Sequence, residues 1–381
     1  VLALRIANIL IKTDIGANGV LCLTFTNSGV SAMRERLKKY IGNASNEVRI
    51  ATFHSFAQKI VEKNFGLLDM DTMPMILDEQ TSVLLFDAIL HNNDWEYLRP
   101  RNNPSQYFHD LKSLISLLKR ELISASDFAI SIDQEIKAIE SDPASISSRG
   151  ESKGMLKKEV EKKIESLART KEAVAFYSLY EEEKRKQSYM DYDDVLSYAL
   201  EIIKISDDVA AQIREESQYI LIDEHQDSSG IQNQFLKAIW REIERPNIFV
   251  VGDDRQLIYG FGGASVSYFE EFKNTFGKAH FITLLENYRS TQNILDTADV
   301  LLQSEIASGS LRSNTKDMHD IELYPCEYER DEVLLAGKLF QEKIKNGFAP
   351  ESCALLVPKN KNVRFAVRIL RDLGLPVAMG S

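Results

Sequence analysis

No apolar run in this chain of 381 residues approaches the ~20 residues needed to span a bilayer. Its opening stretch, VLALRIANILIKTD, has neither a basic leader nor a small-residue cleavage site, so a cytoplasmic protein without membrane contact is expected. Cysteine is scarce. Cys22, Cys326 and Cys353 lie far apart, two of them in apolar, strand-like runs. Buried thiols are therefore expected, and neither a disulfide framework nor a zinc site is implied. The six histidines show no metal-ligand spacing, and no metal is assigned to them. Positive charge is also in deficit. A net charge of -11 excludes a surface that coats nucleic acid everywhere, so any such binding must come from a local groove.

Hydrophobic residues make up 44% and charged residues 27% of the chain, values of a folded globular protein. Its length calls for several structural units. Short β-rich runs alternate with helical patterns in GVLCLTF, SGVSAMRERLKKY, VRIATF and HSFAQKIVEKNF, which predicts a parallel sheet flanked by helices. The alternation returns in QYILIDE, IQNQFLKAIWREI and NIFVVGDD, and again in CALLVPK with NVRFAVRILRDLGL. Between them QYFHDLKSLISLLKREL and EVEKKIESLARTKEAVAFYSLYEEEKRK read as long amphipathic helices, with a Ser- and Gly-rich loop from Ser141 to Met155. The Lys-rich run 157–163 and the run Glu181 to Lys186 are expected to be solvated helix faces. The predicted organisation is an α/β domain over 1–79 and 198–280, a helical insertion over 80–197, and the first part of a second α/β domain over 281–381.

Chemistry concentrates where the apolar strand Tyr219-Ile220-Leu221-Ile222 delivers Asp223 and Glu224 at its carboxyl end, the end at which open α/β sheets bind ligands. Asp223 suits a magnesium ion, and Glu224 a water to be oriented or deprotonated, as phosphoryl transfer requires. Alone the pair is weak evidence, because acidic residues commonly end strands.

The surrounding motifs strengthen it. Asp223-Glu224-His225-Gln226-Asp227 is followed by Gly252-Asp253-Asp254-Arg255-Gln256-Leu257-Ile258-Tyr259-Gly260-Phe261, and then by Glu286-Asn287-Tyr288-Arg289-Ser290-Thr291. Earlier come Thr24-Phe25-Thr26-Asn27 with Ala32-Met33 and Arg36-Leu37, then Thr52-Phe53-His54-Ser55-Phe56, then Asp191-Tyr192-Asp193-Asp194-Val195-Leu196. In this order the segments resemble the UvrD/Rep/PcrA-like superfamily 1 DNA helicases, across essentially the whole chain and most weakly from Leu122 to Lys171. The resemblance implies RecA-like motor domains, ATP and Mg²⁺ as cofactors, and single-stranded DNA and single/double-strand junctions as partners. It implies a 3′-to-5′ helicase or translocase. Glu224, Asp223, Gln256 and Arg289 become the expected catalytic residues. Asp223 would be the magnesium ligand, Gln256 the γ-phosphate sensor, and Arg289 a contact from the second motor domain. Thr24, Phe25, Thr26, Asn27, His54, Tyr259 and Phe261 become the expected DNA-binding set, with Phe56 either supporting it or packed in the core. Tyr259 and Phe261 are flanked by glycines, which suits platforms for stacked bases.

Departures accompany the resemblance. No G-x-x-x-x-G-K-[ST] loop is present, and the Gly-Lys pairs Gly277-Lys278 and Gly337-Lys338 lack its other members. The chain opens where that loop would end, and it closes before the family's fifth and sixth motifs and second accessory domain. A truncated or fragmentary product, itself inactive, is therefore expected. Gly262 replaces the family's usual arginine and Arg255 its usual acidic residue. Two other readings stay open at this stage: a non-catalytic DNA-binding or assembly subunit, and the helicase part of a helicase-nuclease.

Overall fold

The computed structural model describes residues 1–99, 103, 105–147, 154–258, 266–276, 279–302, 311–315 and 320–379. Among them the helices are α1 Leu2–Lys12, α2 Asn27–Ile41, α3 Phe53–Asn64, α4 Glu79–His91, α5 Phe108–Arg120, α6 Ala125–Ser141, α7 Lys158–Lys186, α8 Tyr192–Ile205, α9 Asp207–Glu216, α10 Gly230–Ile239, α11 Val266–Thr275, α12 Gln292–Leu302, α13 Glu329–Lys345 and α14 Asn360–Asp372. The strands are β1 Val20–Thr24, β2 Arg49–Thr52, β3 Met75–Ile76, β4 Tyr189–Met190, β5 Tyr219–Ile222, β6 Ile248–Val250, β7 Glu286–Asn287 and β8 Arg312–Ser313. They fall into two compact units, Val1–His280 and Phe281–Ser381.

In the first unit β2-β1-β5-β6 form a four-stranded sheet, parallel throughout. Leu21, Leu23, Ile220 and Ile222 face a core shared with α3, α8 and α10, whereas Val20, Cys22 and Leu221 face one shared with α1 and α2. Both faces are covered, which is why the central strands read as unbroken apolar runs. The expected α/β class with a parallel sheet is borne out. From β1 the chain crosses through α2 to β2 on one side, and from β5 through α10 to β6 on the other. The order thus reverses between β1 and β5, where carboxyl ends diverge and ligands are taken.

The paired strands β3 and β4 bracket a helical segment. There Phe86 is packed by Phe108, Phe176 and Tyr180 at ring-centre distances of 5.0, 4.9 and 4.8 Å. Each such burial contributes roughly 1.5–3 kcal/mol. Against expectation, Lys184 does not lie on a solvated face. Its ammonium group and that of Lys119 are buried, and both reach Glu181, Asp191 and Asp194. These three carboxylates lie close enough together to hold a metal, but the two ammonium groups already meet them. Val195 and Leu196, one turn into α8, pack into the core of the sheet. The lysine–carboxylate cluster therefore joins α5 and α7 to the sheet's own core.

In the second unit β7 and β8 pair in parallel, and α13 and α14 share a small core of Val333, Ala366 and Leu370. CALLVPK, expected as a strand, forms none, and Leu356 within it is 92% exposed. A strand needs a partner to satisfy its backbone groups, and no described strand pairs with it. Of the cysteines expected to be buried, only Cys22 is; Cys326 and Cys353 are half-buried. No described helix is long and apolar enough to cross a membrane.

Candidate functional site

The acidic pair is fixed by the sheet's own hydrogen bonds. The Asp223 N–H donates to the Leu23 carbonyl at 3.0 Å, that of Val251 to Ile222 at 3.0 Å, and that of His225 to Val251 at 2.9 Å. At Glu224 the backbone enters the left-handed region, with φ 51° and ψ 47°. For a residue other than glycine this costs about 1–2 kcal/mol, and such conformations cluster at functional sites. The reversal leaves the Glu224 side chain exposed while burying His225 and Gln226.

A run of hydrogen bonds then links Glu224 to Gln256. The Gln226 amide nitrogen donates to Glu224 Oε2 at 2.8 Å, and its Oε1 accepts from the Asp253 N–H at 3.0 Å. Asp253 Oδ2 in turn accepts from Gln256 Nε2 at 2.8 Å. The expected groups Asp223, Glu224 and Gln256 are thus brought to one edge. Gln226 and Asp253, which connect them, were not singled out in the sequence. Gln226 stands inside the DEHQD run, so its signal was present, but its partner is set by the fold.

Burial and the neighbouring Glu224 push the Asp223 carboxyl above the usual carboxylate range, against the pull of the Arg36 guanidinium. A buried acid beside a second acid is stabilised by an added cation, so the pair fits a divalent ion. Arg36 is a further charge at this edge that the sequence had offered only as part of a motif.

Beside the pair, Thr24 at the end of β1 is buried and donates from its hydroxyl to the Thr26 carbonyl at 3.0 Å. Thr26 caps α2, accepting from the Gly29 N–H at 3.0 Å. Phe25 and Asn27 are exposed. Thr52 pairs with Thr24 across the ladder, so the start of α3 lies alongside. There the His54 ring stacks on Tyr192 at 4.0 Å. Burial holds that histidine down at about 4, with Asp193 opposing and Arg120 assisting. Phe56 is a core residue, edge-on to Phe235 at 6.1 Å.

Tyr259, Phe261 and Gly262 lie outside the described residues. Arg289 belongs to the second unit, on an exposed turn where Asn287 Oδ1 accepts from the N–H groups of Arg289 and Ser290 at 2.9 and 2.7 Å.

A doubly covered parallel sheet with an acidic pair at its point of reversal, hydrogen-bonded to the end of the next strand, is the architecture of an α/β helicase motor domain. Residues 1–277 match the UvrD/REP helicase N-terminal domain, and the chain belongs to that family. It is similar to an ATP-dependent DNA helicase PcrA of Staphylococcus aureus, 26% identical over 381 residues, which cover 100% of this chain and 47% of the relative. It is also similar to the protein of the same name from Leuconostoc citreum, 24% identical over 100% of this chain and 46% of the relative. The chain spans about half the length of these relatives.

Proposed function

We propose that the chain is part of an ATP-dependent 3′-to-5′ DNA helicase or translocase, coupling ATP hydrolysis to movement on single-stranded DNA and at single/double-strand junctions in the cytoplasm. The observation that carries this reading is the continuous link Glu224–Gln226–Asp253–Gln256 at the crevice between β1 and β5. Family membership and the printed names of the relatives support it, and the direction of travel rests on the motif resemblance.

In this reading Asp223 would hold Mg²⁺, which would supply positive charge to offset that of the phosphates. Glu224, exposed and held by Gln226, orients a water and accepts its proton at Oε1 or Oε2. Gln256 senses the γ-phosphate or the attacking water. Its tie to Asp253 links it back to Gln226 and Glu224, and it passes that state to the DNA-binding segment that follows it in the chain. Arg289 supplies a guanidinium from the second unit. Thr24, Phe25, Thr26, Asn27 and His54 line the strand's path, and Tyr259 and Phe261 stack on its bases. These 381 residues include no phosphate-cradling loop and are catalytically incompetent by themselves.

Binding of a fluorescent oligothymidylate to the chain tests the reading. Replacing Tyr259 and Phe261 together with alanine should weaken affinity by roughly 2–5 kcal/mol if both stack. Unchanged affinity with the fold preserved would remove them from the DNA path.

A further inference from the structure

Among the described residues β2 is the outer strand of its sheet and pairs with β1 alone. Alternate residues of an outer strand turn an N–H and a C=O away from the sheet, where a further backbone can meet them. That side of β2 faces a cavity of about 440 Å³, which Arg49, Ile50 and Ala51 all line. The volume falls within the range of about 300–1,000 Å³ common to binding sites.

Two helical stripes wall it. Phe56, Lys59, Ile60 and Lys63 recur at the spacing of one face of α3, and Val209, Gln212, Ile213 and Glu216 do the same on α9. Both helices pack on α8 and leave this groove between them. A second cavity of about 430 Å³ shares Lys63, Asn64, Val209 and Gln212 with the first and runs on to Leu67 and Ser206. The space is therefore elongated and suits a chain better than a compact molecule. Its floor is apolar, made by core residues that include Leu21, Phe56, Ile60 and Ile213. Its rim is cationic. At the first cavity four cations, Arg34, Arg49, Lys59 and Lys63, accompany two carboxylates, Glu47 and Glu216. Arg49 already pairs with Glu216 at 3.3 Å, and the second cavity adds Asp208. Lys59 and Lys63 are exposed one turn apart, and neither meets a carboxylate among the described residues.

We propose that this groove binds an extended, acidic segment of a partner protein, which adds to β2 as a further strand. The free side of β2 offers donors and acceptors together, and a peptide backbone matches both. A nucleic-acid backbone presents phosphate acceptors only, and Glu47 and Glu216 would repel it. Carboxylates of the segment meet Lys59 and Lys63, and its apolar side chains lie on the floor between α3 and α9. The groove follows α3 from Phe56 to Asn64, whereas His54 stands in the first turn of that helix. On the other wall α9 ends at Glu216, before the start of β5, and Asp223 and Glu224 follow that strand's far end. A partner can thus dock without occupying the acidic edge, and the inference stands independently of the proposed motor activity.

The test uses the 381-residue chain and a fluorescent library of short peptides in which aspartate alternates with valine, isoleucine, leucine or phenylalanine. A library with lysine in place of aspartate is the control. Affinity of the tightest acidic member is then measured for the parent, for Lys59→Glu combined with Lys63→Glu, and for the neutral pair Lys59→Gln with Lys63→Gln. Reversing both charges should weaken binding at least about tenfold, with the neutral pair in between. Methylating alternate backbone amides of the peptide should weaken it by a similar factor, because the added strand then loses its donors. Binding should slow amide hydrogen exchange in β2 and leave α1 unchanged. If no acidic peptide outbinds its lysine counterpart, the charge match is overturned. Binding that survives the charge reversal would place the peptide elsewhere. Unchanged exchange in β2, or indifference to methylation, would overturn strand addition. An oligothymidylate that displaces the peptide and loses affinity in the charge-reversed variant would give the groove to nucleic acid instead.

Discussion

Glu224 shows how one residue can be arranged for chemistry at a cost to the backbone. Its left-handed conformation exposes the carboxylate while the residues on its carboxyl side go inward, and Gln226 then holds it by a single hydrogen bond. Asp223 and Glu224 were legible in the sequence through the ordered motifs around them, because acidic residues by themselves commonly end strands. Their connection to Gln256 was not, because the Gln226–Asp253 contact joins positions 27 apart and exists only once β5 and β6 are paired. His54 offers a test at the same scale. Burial lowers its pKa from 6.5 to about 4, against Asp193 and with Arg120. The folded pKa lies below the unfolded one, so the unfolded chain takes up the proton first as pH falls. The stability this residue confers is full above pH 6.5 and declines down to about 4. Between pH 7 and pH 5 the parent should lose up to about 2 kcal/mol more than His54→Gln. Chemical denaturation at the two pH values measures this, and equal losses in both proteins would assign the sensitivity elsewhere.

Individual elements were legible wherever their periodicity met a partner. The segment GVLCLTF became β1 because β2 and β5 flank it, and the amphipathic run from Gln106 became α5 because its apolar face found α4 and α7. CALLVPK carries the same kind of apolar signal, but no described strand flanks it. Local pattern cannot reveal whether a neighbour exists. The charged end of α7 misled in the opposite direction. Lys184 and Lys186 look alike in sequence, yet Lys184 is 1% exposed among Glu181, Asp191 and Asp194, whereas Lys186 is 59% exposed beside Glu182. Burial pulls the Lys119 ammonium down, but the three carboxylates outweigh it and hold it well above the ordinary lysine range. Losing one member strands the others in a low-dielectric setting, so Lys184→Ala should cost about 3–5 kcal/mol. Lys186→Ala should cost no more than about 1 kcal/mol. Urea unfolding of the two variants distinguishes these values. Similar costs would mean that the cluster is not what joins α5 and α7 to the core of the sheet.

At the scale of the whole molecule, the α/β class and the family were both legible, because ordered motifs punctuate a sheet whose strands are individually plain. The described edge gathers the groups proposed to act on magnesium, water and the γ-phosphate. The sequence holds no loop of the kind that cradles phosphates. Phosphoryl transfer depends on placement and charge stabilisation, and loss of a well-oriented arrangement can forfeit about 7–11 kcal/mol of barrier lowering. The most direct measurement is phosphate release from ATP by the purified 381-residue chain with single-stranded DNA present, made on a preparation whose DNA binding is recorded in parallel and with Glu224→Gln as the control. The account predicts strand binding that depends on Tyr259 and Phe261, with no phosphate release above that control. Release that requires Glu224, or a folded chain that binds no strand, would contradict it.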